Sequence, residues 1–177
     1  MTGVTISHKV LRLQEEISTY EDFLQLARIN KLPASIALNQ MLIAKAQAKY
    51  GYEASIDAKN LLSCIGLAIK NRLIPDMCRG AISISQERTS DIRESIELFS
   101  QATSQLSSKA ARLRIQLKPL LDINVDLVPE TLAALPLKQR FQLITTGIEV
   151  QEEADRLIQG SLFLMELVDD MASSSTG

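Results

Sequence analysis

Residues 89–120, TSDIRESIELFSQATSQLSSKAARLRIQLKPL, carry the clearest structural pattern of the chain. Apolar or small residues recur at alternating steps of four and three positions from Ile92 to Leu120, which keeps a heptad over about four repeats. A 3.5-residue repeat stays on one side of a helix only when a second helix lies nearly parallel to it. The stretch therefore predicts a long helix that packs along another helix and that bends or ends at Pro119.

Other parts of the chain show helical periodicity as well, and proline and glycine mark their boundaries. Pro33 ends one helix, because proline disfavours a helical residue before it, and is well placed to open the next. Gly51 is a natural C-terminal cap for that second helix, and Pro75 ends a third one. The helices predicted in this way are 7–30, 34–50, 57–73, 89–118 and 137–171, with weaker patterns for short helices within 76–86 and 130–135.

No run alternates apolar and polar residues for long enough to predict a strand. The predicted fold class is therefore all-α: an elongated helical bundle of three long, antiparallel, coiled-coil-like helices with two shorter helices. We expect a single helical domain over residues 1–171. The small polar residues of 172–177 have nothing to bury and predict a disordered tail.

The composition excludes several kinds of chemistry. The chain of 177 residues has one histidine, two cysteines and seven glycines. His8 alone cannot supply the paired histidines of di-iron or zinc sites, and Cys64 and Cys78 lack metal or redox spacing. The carboxylates at 149, 152 and 153 are more typical of a solvated helix surface than of a metal site. We therefore expect no enzymatic activity, no metal, no cofactor and no small-molecule substrate.

The sequence also bears on location. The first residues lack the apolar core of a secretory signal, and the most apolar stretch near the C-terminus, 162–168, is interrupted by Glu166. It is far shorter than the roughly 20 residues that span a bilayer. We expect a cytoplasmic protein without a membrane partner.

Charge is distributed unevenly along the chain. Residues 1–118 hold 16 basic and 11 acidic residues, a formal +5, and residues 119–177 hold 3 and 10, a formal −7, which together give the −2 of the whole chain. The simpler interpretation is that the acidic last helix lies against more basic helices of its own chain. The alternative is an acidic face for a basic partner.

The heptad stripes suggest the function. The two shorter predicted helices cannot cover the full length of the long ones. We therefore expect part of a stripe to remain available for a protein partner or a second copy. This indicates a non-enzymatic interaction module, such as an adaptor, a chaperone-like protein or an assembly subunit. The candidate partner-binding or oligomer residues are Ile92, Ile96, Phe99, Leu106, Leu113, Leu117, Phe141, Ile144, Ile148, Gln151, Asp155, Ile158, Leu162 and Met165.

Two of these positions are polar. A strict heptad places Gln151 and Asp155 in the stripe, where a buried polar pair can fix register or oligomeric state. A small rotation of the helix would instead turn Ala154 inward, and the sequence leaves both arrangements open.

Nucleic-acid binding is the alternative function. A helical regulator that dimerises through the same stripes could use basic residues between positions 59 and 118. The lack of interleaved aromatic residues argues against it. Its candidate contacts are Lys59, Lys70, Arg72, Lys109, Arg112, Arg114 and Lys118.

Overall fold

The computed structural model describes residues 6–78, 86–122 and 128–173, and it is all-α, with no strand in those ranges. The helices are α1 (His8–Ile29), α2 (Pro33–Ala68), α3 (Ile74–Cys78), α4 (Gln86–Leu121), α5 (Val128–Ala133) and α6 (Leu137–Ser173), with a π-helical turn at Ile69–Leu73 between α2 and α3. The predicted helical bundle is confirmed.

The turn between α1 and α2 shows how local sequence sets a boundary. Lys31 has a left-handed φ of 51°, and the N–H groups of Lys31 and Leu32 donate to the carbonyls of Arg28 and Ala27. This is a Schellman ending, which is usually completed by glycine and here by lysine. Pro33 then opens α2, as the sequence predicts, because the first turn of a helix needs no N–H donor there.

The predicted break at Gly51 is wrong. The helix expected at 34–50 and most of the helix expected at 57–73 form one helix of 36 residues, Pro33–Ala68, and Gly51 lies inside it. The last five residues of the second expected helix form the π turn. A side chain at Gly51 would collide with Val150, and its Cβ would lie 3.3 Å from that of Ala110. Gly51 therefore serves close packing between helices and not a helix ending.

The C-terminal end of α2 adapts to Pro75. The Ile74 N–H donates to the Ile69 carbonyl, five residues back, so the helix widens into a π turn before α3. Proline cannot donate the hydrogen bond that an α-helix needs at this position. Of the short helix predicted within 76–86, the structure shows only the last residues of α3 and the first of α4, and 79–85 lie outside the described residues.

The chain divides into two compact units, and α2, α4 and α6 each contribute residues to both. Of the described residues, unit 1 contains 54–78, 86–105 and 155–173, and unit 2 contains 6–53, 106–122 and 128–154. The single domain over 1–171 stays a prediction. Two residues of the predicted tail are helical, since α6 continues to Ser173 and buries Ala172; residues 174–177 lie outside the described range.

Unit 1 is built on one apolar cluster from α2, the π turn, α4 and α6. Its buried members are Leu61, Leu62, Ile65, Ala68, Ile69, Leu73, Ile92, Leu164, Met165, Val168 and Met171. Ile96, Phe99 and Leu162 pack against this cluster, and Ile158 is also buried. The predicted stripe residues of this unit thus face the interior of their own chain.

Unit 2 is built around the first part of α2, which is buried on most of its circumference. Its small residues allow three helices to approach it. Tyr50 Oη accepts a 3.1 Å hydrogen bond from Gln14 Nε2 of α1, Gly51 lies beside α4 and α6, and Ala44 lies beside Gly147 of α6. In α1 the buried residues are Val10, Ile17, Leu24 and Ala27.

Substitution of two glycines in α2 tests the role of close packing. We expect Gly51→Ala to lower the free energy of unfolding by about 1–2 kcal/mol, because the clash with Val150 outweighs the gain in helix propensity. Gly66→Ala is the matched control: nothing lies within 4 Å of its Cβ position, so it should raise stability by about 0.5–1 kcal/mol. Urea titration followed by circular dichroism measures both, and equal effects at the two sites would contradict the packing role.

Candidate functional site

The first half of α6, in unit 2, has two stripes one residue apart. The buried stripe consists of Leu143, Gly147, Val150 and Ala154. The stripe predicted from the sequence starts with Phe141, Ile144 and Ile148. It is rotated by about 100° around the helix from the buried stripe. Small residues decide the rotation, since Gly147 lies against Gln47 and Ala44 of α2.

The rotation leaves large apolar residues at the surface. Leu137, Phe141 and Ile148 expose 74%, 68% and 46% of their area, and Ile144 is half-buried. They occur at steps of four, three and four, so they form one stripe along about three turns of α6. We call Leu137, Phe141, Ile144 and Ile148 the outer face.

A groove adjoins the outer face. One hollow of about 310 Å³ lies between α1, α2 and α6. Its lining combines four apolar residues with polar and charged ones: Leu24, Ile43, Ile144 and Ile148, and Glu21, Gln25, Arg28, Gln40 and Gln47. A second hollow, of about 460 Å³, is lined by Leu137, Lys138, Arg140, Phe141, Ile144 and Gln40, and both hollows share Gln40 and Ile144. Most of the exposed area of both hollows is nevertheless apolar, so the groove continues the outer face sideways.

Gln40, which lines both hollows, has an unpaired polar atom beneath the groove surface. Its side-chain oxygen is buried and accepts no hydrogen bond from the residues that the structure describes. A buried acceptor without a donor costs about 1–3 kcal/mol.

A pair of glutamines joins α2 to α6 at the edge of the groove. Gln47, only 3% exposed, donates from Nε2 to Gln151 Oε1 at 2.8 Å. Gln151 thus has the polar partner that a stripe position requires. Ala154 and not Asp155 takes the fully buried position, so the rotated arrangement is the correct one at this point.

The carboxylates of α6 hold a basic residue of α4. Lys109 Nζ lies 2.9 Å from both Glu149 Oε2 and Glu153 Oε1. Hydrogen bonds to Glu153 and Glu149 raise the pKa of Lys109 above its usual value. This contact agrees with the interpretation that acidic α6 residues pair within the chain. In the described ranges, no group of side chains is arranged to bind a metal ion.

The basic candidates for nucleic-acid contacts fall in both units. Lys109 is held by two carboxylates, and the other six are exposed. Unit 1 contains Lys59, Lys70 and Arg72, whereas unit 2 contains Arg112, Arg114 and Lys118.

The remaining stripe candidates of α4 are internal. Leu106, Leu113 and Leu117 are all buried in unit 2. They support the fold and do not form a free surface, so the expected partner-binding role of these residues, and of the buried residues of unit 1, is not favoured. The sequence pattern does not distinguish the stripes that are buried within the chain from the stripe of α6 that is exposed.

Methionine substitutions test the glutamine pair. Gln151→Met should cost about 1–3 kcal/mol of unfolding free energy, because it leaves buried Gln47 Nε2 without its acceptor. Adding Gln47→Met should cost less than the sum of the two single changes. Gln159→Met, at an exposed position of α6, is the control and should change stability by less than about 0.5 kcal/mol. Additive effects in urea titration would show that the pair is not coupled.

Comparisons with known proteins add no relative. No protein-family model matches the chain, and no curated protein or solved structure matches it either. In the described ranges, no helix is both long enough and apolar enough to cross a membrane.

Proposed function

We propose that this protein is a non-enzymatic interaction module that binds an apolar helix of another polypeptide, or of a second copy, on the outer face of α6 and in the adjoining groove. The observation that carries the proposal is the exposure of Leu137, Phe141 and Ile148 in one helical stripe. Helix-in-groove recognition uses anchors at this spacing. An adaptor, a chaperone-like protein or an assembly subunit would each use such a face.

The size of the face sets the strength of binding. Full burial of a large apolar side chain contributes about 1.5–3 kcal/mol, so the outer face alone supplies on the order of 5 kcal/mol. A micromolar complex needs about 8 kcal/mol net, after the entropy lost on association. The groove beside Gln40 therefore has to contribute to binding as well.

Catalysis has less support than binding. A third hollow of unit 2, between α4 and α6, is lined by Gln116, Gln139, Gln142, Thr145 and Thr146 together with Phe141 and Leu143. Amides and hydroxyls without a neighbouring acid or base are poor general acid–base catalysts. The nucleic-acid alternative also loses one of its candidates, since Lys109 is already paired. A cytoplasmic location stays a prediction.

Two equally exposed phenylalanines make a matched test. Phe141, on the outer face, is 68% exposed, and Phe163, in unit 1, is 65% exposed. A photo-cross-linking amino acid at position 141 of the full chain should form one dominant adduct with a protein in the cells that make it. Ile148→Asp should abolish that adduct by placing a charge in the apolar contact.

The same cross-linker at position 163 is the control. It should not produce that adduct. The proposal is contradicted if position 141 gives no adduct, or if both positions give the same set. Circular dichroism of Ile148→Asp, which should match that of the unsubstituted protein, separates loss of binding from loss of folding.

A further inference from the structure

We infer that the chain that covers the outer face is a second copy of this protein, with the first half of its α6 packed antiparallel against the first half of the other α6. This inference rests on the proposed function and names its partner. It follows from the opposite charges at the two ends of the outer face and from the self-complementarity of its apolar residues about a twofold axis.

The ends of the outer face carry opposite charges. Lys138 and Glu152 are both exposed and lie fourteen residues apart, which is two heptads, so they occupy the same flank of α6. Thr145 lies midway between them. An antiparallel arrangement around a twofold axis near Thr145 brings Lys138 of each copy to Glu152 of the other.

The symmetry produces this ion pair twice. A parallel arrangement would instead place Lys138 beside Lys138 and Glu152 beside Glu152. Complementary charges of this kind set the orientation and the choice of partner more than the affinity.

Two of the neighbouring charges are already engaged in the chain. Glu149 pairs with Lys109, and Arg140 Nη1 lies 3.5 Å from the carbonyl oxygen of Leu132, to which it donates. Lys138 and Glu152 are exposed charges at the two ends of the outer face, and the antiparallel arrangement brings them together.

The apolar residues fit the same axis. It places Phe141 of one copy near Ile148 of the other, again twice, and brings the two Ile144 side chains together at the centre. In a twofold interface the same patch serves on both chains, so the face must complement itself. An outer face with apolar residues between a basic and an acidic end meets that condition, whereas an anionic membrane would favour basic residues at both ends.

Charge reversal in the full chain tests the inference by sedimentation equilibrium. The protein should associate from a mass of 19.6 kDa to twice that value as concentration rises. Lys138→Glu and Glu152→Lys should each weaken the dimer about tenfold, because each leaves like charges at both contacts. The double variant should recover the original affinity within about twofold, and a mixture of the two single variants should form a heterodimer.

Charge reversals elsewhere provide the controls. Lys118→Glu and Glu97→Lys change the net charge by the same amounts at exposed positions of α4, and they should leave the dimer unchanged. A dimer that does not respond to either reversal at the outer face would overturn the inference, as would a single-chain mass throughout. If a single-chain mass is found while position 141 still cross-links to a different protein, the proposed function stands and only the second copy is excluded. If neither association nor cross-linking occurs, both fail.

Discussion

The close approach of α2 and α6 at two glycines is the constraint on which unit 2 depends. Gly51 of α2 lies against Val150 of α6, and Gly147 of α6 lies against Gln47 and Ala44 of α2. A larger residue at either position would separate the helices, because interiors pack densely and leave no space for an additional methyl group. The Gln47–Gln151 hydrogen bond lies between these two helices and requires the same approach.

The approach also determines which side of α6 faces outward. Small residues allow the tightest contact, so Gly147 and Ala154 turn inward, and Phe141 and Ile148 are left at the surface. A helix that buried its largest residues instead would have no apolar outer face. The candidate interaction surface is thus a consequence of packing by small residues, and the charges at its two ends give it a direction.

Much of the fold could be predicted from large apolar residues. The stripe of α4 lies on the inner side of its helix from Ile92 to Leu117, where the heptad places it, although Ile96 and Phe99 are only half-buried. Leu and Ile dominate that stripe. The stripe of α6 could not be placed in the same way, since its buried side in unit 2 includes a glycine and an alanine. These carry little weight in a pattern of large hydrophobic residues.

The sequence does not predict that α2 is continuous, for a related reason. Gly51, followed by Ser55 and Asp57, looks like a helix ending and a new N-cap, and local sequence does not show that a neighbouring helix requires glycine there. The candidate site was predicted in part. Phe141, Ile144 and Ile148 belong to the predicted stripe. The groove beside them also needs residues of α1 and α2, which are distant from α6 in the sequence. Gln47 of α2 and Gln151 of α6, for example, are more than 100 positions apart.

Native-state hydrogen exchange of the backbone amides from Tyr52 to Ile56 tests the central claim most directly. If α2 passes unbroken through Gly51 because α6 packs against it, these amides are bonded four residues back and should be protected to the same degree as those of Ala44 to Ala48. Exchange of the 52–56 amides at the rate of an open turn, with protection on either side, would show two helices joined at Gly51 and would contradict the account.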